Sequence, residues 1–175
     1  IYNIEADALY SGIIIDTNNF TSKTGVRTFE AAAFLRRCGA DVTRVRKMFR
    51  DDVKSYRAKA EAIRHVETYR GSFALAVCPS EGIDSPTVVA SQAANELLNV
   101  DSIKATFVLT DYQNKIYISA RAIDEVNVQL IMERLGGGGH INMAGAQLTG
   151  VTVEEAIATL KDTIDQMIKE GDIEA

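Results

Sequence analysis

The chain has 175 residues and a mass of 19.1 kDa, room for one large domain or two small ones. Hydrophobic residues make up 46% and charged residues 25%, which excludes a disordered tail, a collagen-like rod and a disulfide scaffold. The net charge of −5 is uneven: residues 1–70 carry 13 Lys+Arg against 9 Asp+Glu, and residues 71–175 carry 6 against 15. That change of sign near position 70 marks either two units or two differently solvated surfaces, and it argues against a uniformly basic coat for nucleic acid. Cys38 and Cys78 form no CxxC pair, so neither a zinc cluster nor a disulfide framework follows from them, and a reducing cytosolic setting fits best. The apolar stretches around Ile13–Ile15 and Phe73–Cys78 are too short to span a bilayer, and no signal peptide is visible. Ile1 in place of Met points to a segment of something longer.

In chain order, Gly12–Asp16 is a β-branched run ending in a carboxylate and reads as a short buried strand. Residues 17–27 are rich in Thr, Asn, Ser and Gly and read as a loop. A helix follows, with Thr28 able to cap it and Gly39 at its C′ position. Asp41 can cap a second helix carrying Val42, Val45, Met48 and Phe49 at helical spacing. Asp51 or Asp52 opens a third, running to about His65 or Tyr69. Phe73–Cys78 reads as a strand stopped by Pro79, and Ser85 with Pro86 starts a helix to about Leu98. Ala105–Thr110 and Lys115–Arg121 read as strands joined through residues 111–114. Asn127 can cap a helix through Leu135, and four glycines follow. Ala144–Leu148 reads as a strand, and Thr152 with Glu155 forms a capping box for the last helix. Strands alternating with helices predict an α/β fold.

Several groups of residues can carry chemistry. An aspartate at the C-terminal end of a buried strand stands where α/β sheets place ligands, so Asp16 is a candidate oxygen ligand for Mg²⁺ or Mn²⁺. The competing reading is a turn cap with Asn18 and Asn19. Gly136, Gly137, Gly138 and Gly139 are costly in backbone entropy unless the chain must approach something closely. Their N–H groups can cradle a phosphate, and His140 can donate to a phosphoryl oxygen or protonate a leaving group. The alternative is a flexible connector with a chance histidine. His65, in a polar helix, reads as structural or exposed. Alternation puts Ser119 and Arg121 on one strand face. Arg121 can grip a phosphate bidentately, or pair with Asp124 or Glu125. The basic run Arg36, Arg37, Arg44, Arg46, Lys47 and Arg50 has little aromatic interleaving and reads as a solvated helical face rather than a nucleic-acid surface. Arg27, beside the loop, is a better phosphate candidate that can equally pair with Glu30.

Taken together, Gly12-Ile-Ile-Ile-Asp16-Thr17, Thr24-Gly-Val-Arg27-Thr-Phe-Glu30, Ser119-Ala-Arg121 and Gly136-Gly-Gly-Gly-His140 resemble the DHH-family phosphoesterases over nearly the whole chain. Within them the pattern is most similar to cyclic-di-AMP phosphodiesterases of the GdpP type. The resemblance implies the helical tail of a DHH lobe over residues 1–64, then a small mixed-sheet α/β DHH-associated domain over residues 65–175. It implies two Mn²⁺ ions in the DHH lobe, with Asp16 matching the last metal-ligating aspartate. It also implies substrate binding by Ser119, Arg121, Gly136, Gly137, Gly138, Gly139 and His140, with His140 and Arg121 acting in catalysis. Arg27 lies in a motif of the first lobe and is assigned to the substrate. The implied reaction is hydrolysis of cyclic di-AMP to linear pApA.

One departure matters. The family's metal site also needs a His-x-x-x-Asp-x-Asp cluster and an Asp-His-His motif, and this sequence has neither. A lone Asp16 does not hold two cations. The expectation is therefore a C-terminal piece of a larger enzyme, inactive by itself, with a cytoplasmic location and a parent anchored in the membrane. Its expected partner is a cyclic dinucleotide or short oligonucleotide, with no duplex nucleic acid and no membrane contact by this segment; a homodimer stays open. Two other readings compete. One is a nano-RNase or pAp phosphatase of the same superfamily. The other is a non-catalytic RNA- or nucleotide-binding module, similar to the glycine-rich domains that accompany alanyl-tRNA synthetases, against which the acidic second half speaks.

Overall fold

The computed structural model describes residues 2–123 and 125–174 and divides the chain between Asp51 and Asp52 into two units. The first holds three helices: α1 (Asn3–Asp16), α2 (Val26–Arg37) and α3 (Val42–Met48). α1 corrects the expected buried strand, since residues 12–16 are its last turn. Ala6, Tyr10, Ile13 and Ile14 fall at i, i+4, i+7 and i+8, a helical stripe, and pack with Ala32, Leu35, Ala40 and Val45. A strand would put Ile13 and Ile15 on one face; instead Ile15 is 67% exposed. The helix starts where the Glu5 carboxylate accepts the Tyr2 N–H at 2.9 Å.

Gly39, at φ +100°, ends the α2 segment, and the Asp41 carboxylate caps α3 by accepting the N–H groups of Thr43 and Arg44 at 2.7 and 3.0 Å. Buried Asp7 ties α1 to this corner. It accepts from Arg44 Nε at 2.6 Å and from the Asp41 N–H at 2.6 Å. The Arg44 guanidinium, and after it the Asp41 N–H, hold the Asp7 carboxyl below the usual carboxylate range. Two members of the basic run are thus engaged locally, Arg44 with Asp7 and Arg36 with the Ala40 carbonyl.

The second unit begins with α4 (Val53–Arg64), capped by Asp52, whose carboxylate accepts the N–H groups of Lys54 and Ser55. The expected junction was 64/65. Compactness instead places α4 with the second unit, because Ala58 and Ala62 are buried with Ala74, Ala90 and Ala93. The remaining elements are β1 (Glu67–Tyr69), β2 (Phe73–Val77), α5 (Pro86–Leu97), β3 (Ala105–Tyr112), β4 (Lys115–Ala122), α6 (Val128–Arg134), β5 (Gly138–His140), β6 (Met143–Thr149) and α7 (Val153–Glu170).

The six strands form one mixed sheet in the order β1-β2-β3-β4-β6-β5, parallel between β2 and β3 and antiparallel elsewhere. Alternation assigns its two faces. Phe107, Ile118, Ala120 and Ala146 point to a core shared with Ile131 of α6 and Leu160 and Ile164 of α7. Ala74, Ala76 and Val108 point the other way, to Ala90, Ala93 and Leu97 of α5. The β3–β4 hairpin turns through Gln113 and Asn114 at φ 52° and 60°, the two left-handed positions that a two-residue turn demands. The structure adds two short edge strands. β1 occupies the expected end of a helix, and β5 the expected glycine loop.

Candidate functional site

α5 packs on β3 and β4. Beyond it the same sheet face carries Tyr117 and Ser119 of β4 and, directly opposite, Gln147 and Gly145 of β6. Bare sheet on one side and the glycine run on the other leave a cleft of about 540 Å³, lined by these residues with Thr87, Gly136, Gly137 and Gly138.

Arg121 lies at the end of this row under α5, 9% exposed. Its Nε donates to Asn95 Oδ1 at 3.0 Å, one terminal nitrogen to the Ala120 carbonyl at 2.8 Å, and the other to Ser91 Oγ. Ser91 and Asn95 are one helical turn apart, a polar pair on an otherwise alanine-rich face of α5. All three partners are neutral, and burial pushes the guanidinium's pKa down. Among the described residues no carboxylate pairs with Arg121; Glu125 pairs with Lys104 at 3.2 Å, and Asp124 lies outside the described residues.

The glycine run is built, not loose. Gly136, at φ +76°, and Gly137 close α6: the Gly136 N–H donates to the Glu133 carbonyl at 3.0 Å and the Gly137 N–H to that of Met132 at 2.8 Å. These two N–H groups are spent on the helix end, which corrects the expectation that they are exposed for an anion. A Cβ on Gly137 would sit 2.1 Å from the Gly145 carbonyl oxygen, and one on Gly139 2.5 Å from Ala144 Cα. The close approach that the glycines permit is therefore to β6.

His140 ends β5 and is exposed. It pairs with Met143, which pairs in turn with Arg121, so the three share one row and one face. Two strand spacings separate His140 from Arg121, about 10 Å. Ser119 and Gly136–Gly138 line the cleft, whereas Arg121 and His140 lie beside it. The two remaining candidates belong to the first unit. Arg27 is exposed in the first turn of α2 and makes no ion pair among the described residues, and Asp16 is exposed at the end of α1, not at the end of a strand. Among the described residues no group of three or more His, Cys, Asp or Glu side chains is placed to hold a metal ion. Among the described residues no helix is long and apolar enough to cross a membrane.

Sequence reasoning missed Thr87, Tyr117 and Gln147, and the Ser91–Asn95 pair. Tyr117 was within reach, two positions before Ser119 on the same alternating face. Gln147 needed the β4–β6 register, and the α5 pair needed the knowledge that this helix crosses Arg121.

Residues 71–170 match the DHHA1 domain. Over 163 residues the chain is 43% identical to the cyclic-di-AMP phosphodiesterase PdeA of Listeria monocytogenes, covering 93% of this chain and 25% of PdeA. Over 170 residues it is 43% identical to the cyclic-di-AMP phosphodiesterase GdpP of Bacillus subtilis, covering 96% and 26%. An exopolyphosphatase-related protein of Bacteroides fragilis superposes with a TM-score of 0.83 over 95% of this chain and 51% of its own, at 20% identity, a likeness of fold. The chain spans about a quarter of the length of the curated relatives it matches.

Proposed function

This chain belongs to the DHHA1 domain family, and from that premise we propose that it is the substrate-binding part of a phosphodiesterase that hydrolyses cyclic di-AMP to linear pApA. The observation that carries the reading is Arg121, a buried guanidinium whose partners are all neutral. Withdrawing a cation from water costs several kcal/mol unless an opposite charge offsets it. A phosphate ester held beside Arg121 and Ser119 on β4 supplies that charge, with geometry suited to a planar donor. The names of PdeA and GdpP point to the cyclic dinucleotide as its source.

Negative charge grows on the phosphoryl oxygens as water attacks, and a donor already fixed in place stabilises it without reorganising. Arg121 fills that role, braced by Ser91 and Asn95. His140, on the same row, donates a ring N–H to a phosphoryl oxygen or protonates the leaving oxygen. Ser119 binds a further phosphate oxygen. The first unit is the end of the catalytic lobe. Of its residues only Asp16 is put forward as a metal ligand, and one carboxylate does not hold two Mn²⁺ ions. The remaining ligands would have to come from outside these 175 residues, so the chain alone binds and does not turn over.

Calorimetric titration of the chain with cyclic di-AMP, pApA and tRNA, at several salt concentrations, tests the reading. Both dinucleotides bind, and added Mn²⁺ produces no hydrolysis. Preference for linear dinucleotides with no affinity for cyclic di-AMP favours the nano-RNase reading. A salt-dependent tRNA complex without dinucleotide binding makes the chain an RNA-binding module instead.

A further inference from the structure

We propose that the cleft beside Arg121 is a nucleobase subsite that selects adenine, with Tyr117 as the stacking surface and Gln147 as the reader of the base edge. The proposal rests on the nucleotide reading above and extends it to the Tyr117–Gln147 end of the cleft, one row beyond Ser119.

Tyr117 and Gln147 are direct cross-strand partners on the face that α5 leaves open, which puts their Cβ atoms about 5 Å apart. The next row across the strands is Ser119, Gly145 and Gly138: one hydroxymethyl group and two residues with no side chain. The cleft floor beside the tyrosine is therefore flat and low. Tyr112, the diagonal cross-strand neighbour on the same face, braces the Tyr117 ring from the side, centroids 6.4 Å apart. A braced aromatic edge over a flat floor suits a planar heterocycle, and 540 Å³ lies in the range of small-ligand sites.

Gln147 supplies discrimination. It is exposed, and among the described residues its amide makes no hydrogen bond. A carboxamide offers one acceptor and one donor side by side, which matches the N6 amino group and N7 of adenine, the edge it is assigned to read. The corresponding edge of guanine presents two acceptors and leaves the amide oxygen unanswered. Spacing agrees with this assignment. Two residues of strand, about 6.6 Å, separate Tyr117 from Ser119. A base stacked on the tyrosine thus delivers its own phosphate toward Ser119 and Arg121.

The test compares pApA with pGpG in equilibrium titrations of the chain and its Tyr117→Ala, Tyr117→Phe, Gln147→Ala and Arg121→Met variants. Wild type favours pApA. Tyr117→Ala weakens it by about 5- to 100-fold, while Tyr117→Phe keeps the affinity because the ring is retained. Gln147→Ala brings the two affinities together; the side chain is exposed, so folding is undisturbed. If Arg121→Met abolishes binding while Tyr117→Ala and Gln147→Ala change neither affinity nor base preference, the subsite is overturned and the phosphate site stands. If wild type binds neither dinucleotide, the nucleotide reading falls and the subsite with it.

Discussion

Replacing Arg121 by methionine separates a structural arginine from one held ready for an anion. The substitution keeps an unbranched side chain of similar length and removes the charge. Three hydrogen bonds are lost, to Asn95, Ala120 and Ser91, each contributing about 0.5–1.5 kcal/mol. Ser91 and Asn95 are only partly buried, so water can reach both when the guanidinium leaves, whereas the buried Ala120 carbonyl loses that contact outright. Against this stands the desolvation of a cation with no paired carboxylate among the described residues, several kcal/mol of the opposite sign. The two nearly cancel, so the melting temperature shifts by no more than about 4 °C in either direction. Dinucleotide binding behaves differently. Truncating one partner of a buried charged contact costs about 2–5 kcal/mol, a loss of affinity of about 30-fold or more. Thermal denaturation and calorimetry on the same preparation read both quantities. A variant that melts more than 10 °C lower yet binds pApA with wild-type affinity would show that Arg121 serves the fold, and the functional argument would fail.

Gly137→Ala forces a Cβ onto the Gly145 carbonyl and destabilises the β5–β6 pairing by about 1–3 kcal/mol, read as faster amide exchange in both strands. Gly138→Ala meets nothing within 4 Å, leaves exchange unchanged and weakens only dinucleotide binding; unaltered affinity would remove this part of the cleft floor from the site. In α1, Ile13→Ala costs about 1–2 kcal/mol, less than a fully buried isoleucine, while Ile15→Ala stays within about 0.5 kcal/mol. Equal effects from the two would favour the strand. The carboxyls of Asp165, beside Arg70 and then Tyr69, and of Glu170, beside Arg134 and then Gln166, are held below the usual range in the folded state. Their stabilisation is complete above the unfolded carboxyl values of about 4 and is lost as pH falls through the lower folded ones. An acid titration of the melting temperature therefore declines below about pH 4, and Asp165→Asn flattens part of that decline. A decline of unchanged size in the variant counts against the Arg70 pairing.

What could be read in advance follows from the range over which each signal acts. Asp41, Asn127 and the Thr152–Glu155 box mark helix starts because a cap is a contact within three residues, and the structure puts each where the sequence does. The β3–β4 hairpin is equally local, two alternating runs and a turn. Gly12–Asp16 failed because five β-branched and small residues look alike in a buried strand and in the last turn of a helix. Their partners, Ala6 and Tyr10 on one side and Leu35 and Val45 on the other, decide the matter from outside that window. β1 and β5, three residues each, owe their conformation to the strands beside them. The site divides in the same way. Ser119 and Arg121 share a strand, so alternation relates them. Their relation to His140, Gln147 and Asn95 exists only once β6 and α5 are docked on β4.

The glycine run shows how one sequence signal can merge several physical demands. Gly136 is required by a left-handed helix end, and Gly137 and Gly139 by contact with the β6 backbone. A helix stop followed by a tight edge strand explains three of the four with no ligand. Gly138 has neither a positive φ nor a neighbour within 4 Å of where a Cβ would stand. Its place opposite Gly145, in the row that ends on Ser119, is the floor of the cleft. Functional weight therefore shifts from the run as a whole to this one position. A side chain there would cost the fold nothing and would fill the space that the proposed base subsite needs.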